Sequence, residues 1–194
     1  MTDKEQHILE REYALTKEEL LDAISRRFRA KVTLEGAVAE VHLGKAIKLL
    51  KRRGVITDYK VHDEDGVPDY SIWLPEFTTK IRIECKNIRN SNEAYRKGKK
   101  IYAYKVETQK TRASQGDPTS RFYGFSQFEI LAVCLGKKTH DWKQFMFIRS
   151  NRLAKHKKHK KKMAVMHPVP LPTTAVAPPW YKSLKELLES WGNK

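Results

Sequence analysis

The spacing of apolar residues changes at Gly54, and this change constrains the fold more than any other feature of the sequence. Before Gly54, apolar residues recur every three or four positions, which predicts helices over residues 17–29 and 34–53. Thr16 and Glu19 have the spacing of a capping box at the start of the first helix. After Gly54, apolar and polar residues alternate as they do in strands. The predicted apolar face of the first helix is Leu20, Leu21, Ile24 and Phe28, and the predicted strands cover residues 55–61, 70–74 and 80–86.

The second half of the chain mixes the same two patterns. Ser126 and Glu129 have the spacing of a second capping box, and the apolar residues after them predict a helix that Gly136 ends. Five prolines between residues 168 and 179 predict an extended segment. The remaining predicted elements are strands over residues 103–111 and 142–149, the apolar helix over residues 126–135, and a short final helix over residues 181–191.

The chain is strongly basic, with a formal net charge of +16 from 39 Lys and Arg residues against 23 Asp and Glu residues. Such an excess favours a polyanionic partner (DNA, RNA or an anionic membrane surface) over a small neutral metabolite. The alternative is a basic protein with no special affinity. Hydrophobic residues make up 40% of the sequence, which is enough for a folded core and excludes disorder along the whole chain.

The sequence favours a protein that is not inserted in a membrane and that is located in a reducing compartment. No apolar run approaches the roughly 20 residues that span a bilayer, so no membrane partner is expected. The N-terminal residues are polar and mix acids with bases, unlike a signal peptide. Cys85 and Cys134 both lie in apolar segments, which favours buried thiols over a disulfide. We therefore expect a cytoplasmic protein, encoded by a prokaryote or a phage.

Two acidic residues and a lysine lie at the ends of predicted neighbouring strands. Asp69 precedes the second predicted strand, and Glu84 and Lys86 lie at the end of the third. Because side chains alternate along a strand, Glu84 and Lys86 share one face, and a hairpin brings Asp69 within about 4.8 Å of their strand. Two carboxylates form an oxygen-rich site for Mg²⁺, and a lysine can stabilise charge that develops on a phosphate. Phosphodiester hydrolysis needs this chemistry.

The segments Pro68-Asp69 and Glu84-Cys85-Lys86 resemble the active-site signature of the PD-(D/E)XK nuclease superfamily, which includes type II restriction endonucleases and archaeal Holliday-junction resolvases. The superfamily core runs helix, three strands, helix, strand. The elements predicted over residues 34–149 follow this order, with an insertion at residues 87–125. The resemblance implies a restriction-endonuclease-like α/β (α+β) fold, in which helices flank a central mixed sheet in the order αβββαβ.

The resemblance also implies roles for individual residues. Asp69 and Glu84 would bind Mg²⁺, for which Mn²⁺ can substitute, and the Cys85 carbonyl would be a further metal ligand. Lys86 would be the catalytic lysine. Glu40, in the preceding helix, would be an accessory metal ligand, directly or through water. The alternatives are a structural salt-bridge cluster for the strand residues and a solvated side chain for the helical glutamate.

Two further groups of residues are candidates for contact with double-stranded DNA. The first group lies in the insertion, and Gln and Arg are residue types that read adenine and guanine edges. The second lies in residues 155–162, where six lysines would neutralise phosphates without reading sequence. The alternatives are a solvated surface strand for the first group and a disordered tail or nuclear import signal for the second. The candidates are Gln109, Lys110, Arg112 and Arg121 in the first group, and Lys157, Lys158 and Lys160 in the second.

These predictions lead to a hypothesis of a Mg²⁺-dependent DNA endonuclease, of the sequence-specific type II restriction kind. We expect a homodimer, because cutting two strands with one site per subunit needs two subunits. The alternatives are a structure-selective nuclease of the junction-resolvase or repair type, and a non-catalytic DNA-binding protein with a nuclease-like core. The predicted domains are an N-terminal helical extension (1–33), the nuclease core (34–149), and a basic, Pro-rich tail with a short C-terminal helix (150–194).

Overall fold

The structure is a computed structural model that describes residues 6–64, 66–76, 78–90, 92–110 and 116–191. The chain divides into two units, Met1–Val38 and Ala39–Lys194. The helices are α1 (Ile8–Tyr13), α2 (Lys17–Ser25), α3 (Phe28–Arg52), α4 (Gly136–Thr139) and α5 (Leu184–Glu189). The strands are β1 (Asp58–Val61), β2 (Tyr70–Trp73), β3 (Ile81–Asn87), β4 (Ala94–Lys97), β5 (Lys100–Glu107), β6 (Ile130–Cys134), β7 (Phe145–Arg149), β8 (Met166–Pro170) and β9 (Trp180–Tyr181).

The predicted start of helix α2 is confirmed. Thr16 Oγ1 accepts a hydrogen bond from Glu19 N, and the Glu19 carboxylate accepts one from Thr16 N, so the capping box is complete. The predicted end of this helix at residue 29 is wrong, because α2 ends at Ser25 and α3 begins at Phe28. For the same reason, the start of the second helix predicted at residue 34 is also wrong.

The first unit leaves most of its apolar side chains exposed. Leu21 and Phe28, which were predicted on one apolar face, are 63% and 73% exposed. Glu10, which caps α1 and binds Lys17, is the one buried residue among the described residues of this unit. In the part of the chain that the structure describes, no helix combines the length and apolar content needed to cross a bilayer.

The second unit is built on a mixed sheet of strand order β1-β2-β3-β6-β7-β9. Strands β3 and β6 pair in parallel, and the other neighbours in this sheet pair antiparallel. Each of the three strands predicted between residues 55 and 86 overlaps an observed strand. The predicted α/β (α+β) class with a central mixed sheet is therefore confirmed.

Each face of this sheet packs against a different partner layer. Apolar residues of α3 and α5 pack on one face, with Ile81, Ile83 and Cys85 of β3. Leu131 and Val133 of β6 face the other way, into a second core that includes Val106 and Val169 of the small sheet together with residues of the loops. The expectation that helices flank the sheet is thus met on one face and wrong for the other, where strands cover it.

The predicted helix over residues 126–135 is wrong, because residues Ile130–Cys134 form the central strand β6. Glu129 does not complete a capping box: its carboxylate pairs with the Arg82 guanidinium at 2.5 Å and accepts from Arg82 N at 2.7 Å. All five residues of β6 are buried, and a strand buried on both faces has a continuous apolar run rather than an alternating one. The predicted order αβββαβ therefore fails at its second helix.

A smaller antiparallel sheet of order β4-β5-β8 contains much of the predicted insertion. The strand predicted over residues 103–111 is observed as β5, which ends earlier, at Glu107. The Pro-rich stretch begins as strand β8, which pairs with β5, so its predicted extended conformation is confirmed there. The final helix α5 is shorter than predicted, and Ser183 caps it by accepting from Glu186 N. Residues 166–189 therefore contribute two strands and a helix to the second unit.

Candidate active site

Strands β2 and β3 bring the predicted acidic residues together. Asp69 lies directly before β2, and its Oδ2 accepts a hydrogen bond from Cys85 N of β3 at 2.6 Å. Glu84 and Lys86 lie on the face of the sheet opposite to α3 and α5, since Ile83 and Cys85 occupy the helix-covered face. The antiparallel register, in which Tyr70 lies opposite Ile83, is what places Asp69 next to Cys85. The convergence expected from the hairpin is thus observed.

The Glu84 carboxylate is the centre of a hydrogen-bonded group. Glu84 is only 6% exposed, and its Oε1 accepts from Lys86 Nζ and from the Tyr123 hydroxyl, the latter at 2.5 Å. Lys86 Nζ also lies 5.6 Å from the centre of the Tyr123 ring. A buried carboxylate with a lysine and a phenol on one oxygen has two fixed donors, which hold its position.

The electrostatics of this group disfavour the charged form of Asp69. Burial raises the pKa of Asp69 to about 7, and the charge of Glu84 adds to the effect, whereas the Cys85 N–H and Lys86 act in the opposite direction. Burial alone would lower the pKa of Lys86, but the charge of Glu84 raises it above the usual value. Burial and the nearby Glu84 carboxylate therefore disfavour the charged form of Asp69, and a cation beside a buried carboxylate acts in the opposite direction.

Glu40 belongs to the same electrostatic group. Burial raises the pKa of its carboxyl, Lys86 lowers it, and Glu84 raises it further. The helix is held here by the Tyr70 hydroxyl, which donates to the Glu40 carbonyl at 2.8 Å. Gly44 permits this approach, because a Cβ at that position would lie 2.4 Å from the Tyr70 oxygen. The sequence placed Glu40 in the right helix, and Tyr70 and Gly44 fix where that helix meets the strands.

The carboxylate and carbonyl oxygens of this site are the ligand types that a hard divalent ion prefers, but they do not form a complete coordination shell. Among the residues that the structure describes, no three His, Cys, Asp or Glu side chains are grouped closely enough to hold a metal ion. The Cys85 side chain lies in the core beneath the site, where burial raises the pKa of its thiol, so only the Cys85 carbonyl is available as a ligand. Cys85 and Cys134 are both buried free thiols, as predicted.

Tyr123 is the site residue to which sequence reasoning assigned no role. Burial raises the pKa of its phenol, so the hydroxyl stays protonated and donates to Glu84. Lys110 Nζ lies 5.9 Å from the centre of the same ring, so two lysines flank Tyr123. Tyr123 is distant from Glu84 in the chain, and only its position in a basic, aromatic stretch could have drawn attention to it.

The first group of predicted DNA contacts lies beside Tyr123. Gln109 forms an isolated bridge with Phe122, and Lys110 N donates to the Arg121 carbonyl at 2.9 Å. Arg121 Nε donates back to the Lys110 carbonyl at 3.0 Å. The structure therefore brings Gln109, Lys110 and Arg121 together, whereas Arg112 lies outside the described residues.

Residues 155–162 form a loop that contacts the segment containing Tyr123. His156 stacks on Phe122 with ring centres 4.6 Å apart, and His156 N donates to the Lys162 carbonyl at 2.8 Å. Met163 N donates to the Tyr123 carbonyl at 2.8 Å. The segment is thus anchored next to the site, while Lys157, Lys158 and Lys160 are exposed.

Comparison with known proteins gives little beyond this geometry. No protein-family profile matches the sequence, and no curated protein matches it either. Among solved structures, a bacterial homing endonuclease is similar, with a TM-score of 0.46 and 13% sequence identity over 75% of this chain and 83% of that chain. Similarity at this level does not transfer an activity, so function has to be inferred from the residues of the site.

Proposed function

We propose that this chain is a metal-dependent DNA endonuclease, and specifically a sequence-specific enzyme of the type II restriction kind. The observation that carries the proposal is the buried Glu84 carboxylate, bound by Lys86 and Tyr123 next to the half-buried Asp69. The net charge of +16 supports a polyanionic substrate. The β4–β5 hairpin, which lies between β3 and β6 in the chain, supports sequence reading, because reading base edges needs extra surface beside the site.

Each residue of the group has a role in phosphodiester hydrolysis. Asp69, Glu84 and the Cys85 carbonyl would hold Mg²⁺ or Mn²⁺, with Glu40 as an accessory ligand, and the ion would polarise a phosphate oxygen and acidify a water molecule. Lys86 stabilises the negative charge that develops on the phosphate and orients the attacking water. Lys110, Arg121 and the exposed lysines of residues 155–162 would bind the DNA backbone near Tyr123.

A cleavage assay tests this proposal. The purified protein is incubated with a supercoiled plasmid, with a long linear DNA and with a branched DNA junction, each with Mg²⁺ or with EDTA. We expect Mg²⁺-dependent cutting of the linear DNA into discrete fragments whose sequenced ends share one motif. Cutting of the junction alone would favour a structure-selective nuclease. Binding without cleavage in Mg²⁺ and Mn²⁺ would overturn the enzyme proposal in favour of a DNA-binding protein.

Tyr123 acts as a positioning residue for Glu84, and Tyr123→Phe tests this role. The variant keeps the ring beside Lys86 but removes the hydroxyl that donates to Glu84. A hydrogen bond to a charged group contributes about 1.5–3 kcal/mol, so we expect the single-turnover cleavage rate to fall about 10–100-fold. The Mg²⁺ concentration for half-maximal rate should rise, while the Kd for DNA stays unchanged. Tyr59→Phe, at a half-buried tyrosine of the same unit, is the control; equal rates in both variants would contradict the role.

We further propose that the enzyme is a homodimer joined through the first unit. Apolar side chains are exposed along its helices, and the exposed acidic residues of α2 (Glu18, Glu19 and Asp22) precede the exposed basic residues Arg26 and Arg27. Arg26 pairs with Asp22 of its own chain at 2.6 Å. In a two-fold interface the same patch meets itself, so the acidic part of one copy can face the basic part of the other. Its exposed apolar residues are Ile8, Leu9, Tyr13, Leu15, Leu21, Phe28, Val32 and Leu34.

The double variant Leu21→Glu/Phe28→Glu tests the dimer. It adds charge to the two most exposed positions of the patch on α2 and α3, so we expect the mass measured by light scattering to fall from that of a dimer to that of a monomer. The monomer should nick plasmid DNA more often than it linearises it, since one site cuts one strand. Val61→Glu, at an exposed valine of the second unit, should remain dimeric. A monomeric wild-type protein would contradict this proposal.

A further inference from the structure

The hairpin of β4 and β5 carries a concentrated positive charge that the candidate active site does not use. Residues 94–106 contain five Lys and Arg residues and no Asp or Glu. Four of the five cations lie at the tip, and each is exposed: Arg96, Lys97, Lys99 and Lys100. The ion pairs of this hairpin lie at its base, where Arg89 binds Glu93 at 3.0 Å and Glu107 at 2.5 Å. The acidic side chains therefore neutralise the base and leave the tip cationic.

The hairpin tip has a defined shape. Lys97 pairs with Lys100 across a two-residue turn, in which Gly98 adopts φ +60, a conformation that hairpin turns require and glycine accepts easily. The Tyr95 and Tyr102 rings lie 6.0 Å apart, and Lys105 Nζ lies 5.2 Å from the Tyr95 ring centre. These contacts order the strands, so the tip cations are held on a preorganised ribbon.

The tip also extends beyond the rest of its sheet. The third strand, β8, pairs with residues 103–107 of β5, whereas Arg96–Ile101 and Lys97–Lys100 are pairs of β4 and β5 alone. About three residues separate Ala103 from the turn, which at about 3.4 Å per residue corresponds to roughly 10 Å of two-stranded ribbon. A two-stranded ribbon fits the major groove of B-DNA, which is about 8.5 Å deep.

We propose that the β4–β5 hairpin enters the major groove of the substrate DNA and contacts guanine edges and phosphates through its tip cations. Arg and Lys donate to guanine O6 and N7, which makes the tip suited to base recognition as well as to charge neutralisation. Tyr102, which is 54% exposed, adds an apolar surface beside the cations. This inference rests on the proposed function and deepens it, because it names the element that reads the DNA.

Two variants with the same loss of charge test the inference. The hairpin variant carries Arg96→Gln, Lys97→Gln, Lys99→Gln and Lys100→Gln, and the control variant carries Lys45→Gln, Lys48→Gln, Arg52→Gln and Lys143→Gln at exposed positions elsewhere in the second unit. We measure the Kd for a duplex at several salt concentrations, and the protection of guanine N7 from dimethyl sulfate. Thermal melting of both variants checks that each is folded, and Lys99→Gln alone repeats the binding measurement with the smallest change.

We expect the hairpin variant to bind the duplex about 100-fold more weakly than the control variant. The slope of log affinity against log salt should flatten by roughly 0.9 for each DNA phosphate that the variant no longer neutralises, and Lys99→Gln should flatten it by about that amount. Protection of guanine N7 by the wild-type protein should disappear in the hairpin variant.

The outcomes separate this inference from the proposed function. If the wild-type protein binds and cleaves DNA and the hairpin variant matches the control variant, the hairpin inference fails and the nuclease proposal stands. If the salt slope flattens but N7 protection stays, the placement in the major groove is overturned. If the wild-type protein neither binds nor cleaves duplex DNA, both proposals fail.

Discussion

Lys86→Ala is expected to lower the DNA cleavage rate by about 10³-fold while DNA binding changes less than tenfold. Lys86 is the one cation that contacts the Glu84 carboxylate among the described residues, and a preorganised charge at the reacting phosphate contributes mainly to the transition state. The measurement is a single-turnover cleavage assay together with the Kd for the same duplex.

Two further variants make the Lys86 result interpretable. Removing one partner of a buried ion pair leaves an uncompensated charge, so Lys86→Ala also lowers stability. Lys86→Gln keeps a hydrogen-bond donor for Glu84 without the charge, and it should fold better but cleave as poorly. Lys60→Ala, at an exposed lysine of β1, should cleave like the wild-type protein. Wild-type cleavage rates in Lys86→Gln would show that the lysine is structural and not catalytic.

Asp69→Asn is expected to abolish Mg²⁺-dependent cleavage and, at the same time, to raise the melting temperature of the metal-free protein at pH 8. Asn can still accept the hydrogen bond from Cys85 N that Asp69 Oδ2 now accepts. It removes, however, the negative charge that burial and Glu84 disfavour. The residue is therefore a functional group whose charge opposes folding in the absence of a cation.

The contribution of Asp69 to the stability of the folded state depends on pH with a defined sign. Burial and Glu84 raise the pKa of Asp69 from the usual 3.8 to about 7 in the folded state. The stability associated with its protonated form is therefore complete below pH 4 and is lost as the pH rises through about 7. In EDTA, we expect Asp69→Asn to melt at least about 4 °C above the wild-type protein at pH 8, since 1 kcal/mol shifts the melting temperature by about 2–4 °C in a chain of this size. The difference should disappear near pH 4.

Addition of metal should give the wild-type protein a higher melting temperature than Asp69→Asn, which reverses the order expected in EDTA. A ligand that binds only the folded state stabilises by about 2.7 kcal/mol at 100 times its Kd, so Mg²⁺ should raise the melting temperature of the wild-type protein and not that of Asp69→Asn. Ca²⁺ should stabilise the wild-type protein without supporting rapid cleavage, because it tolerates looser geometry than Mg²⁺. Asp58→Asn is the control: a hydrogen bond from Lys51 lowers the pKa of Asp58, so removing that carboxylate should not raise the melting temperature. Cleavage by the wild-type protein in excess EDTA would contradict the metal proposal.

The local parts of the site could be predicted because they depend on short sequence patterns. Alternation along β3 puts Glu84 and Lys86 on one face, since successive side chains of any strand point to opposite sides. The short connection from β2 to β3 makes an antiparallel pair, which brings Asp69 to Cys85. The same holds for the start of α2, where the Thr16 and Glu19 box needs only contacts three residues apart.

Prediction failed where one local pattern is compatible with two structures. Residues 130–135 form a fully apolar run, which fits a buried helix or a buried strand equally well. Residues 130–134 form a strand because β6 pairs with β3 and β7. The Glu129 carboxylate, which would have capped a helix, forms an ion pair with Arg82 instead. The apolar face predicted for α2 failed for a related reason: periodicity predicts a face to be buried, but among the described residues of the first unit Leu21 and Phe28 stay exposed.

The sequence by itself determined the class of the fold, the strand pair that holds Asp69, Glu84 and Lys86, and the basic character of the chain. The tertiary structure alone decided that Tyr123 binds Glu84, and that residues 155–162 and the β4–β5 hairpin lie where they do. The physical reason is the separation in sequence between the residues that make each contact. A capping box or an alternating strand is fixed by the geometry of a few neighbouring residues. The hydrogen bond between Tyr123 and Glu84 joins residues 39 positions apart, and Tyr123 belongs to a core that also contains residues of β6, β7 and the small sheet.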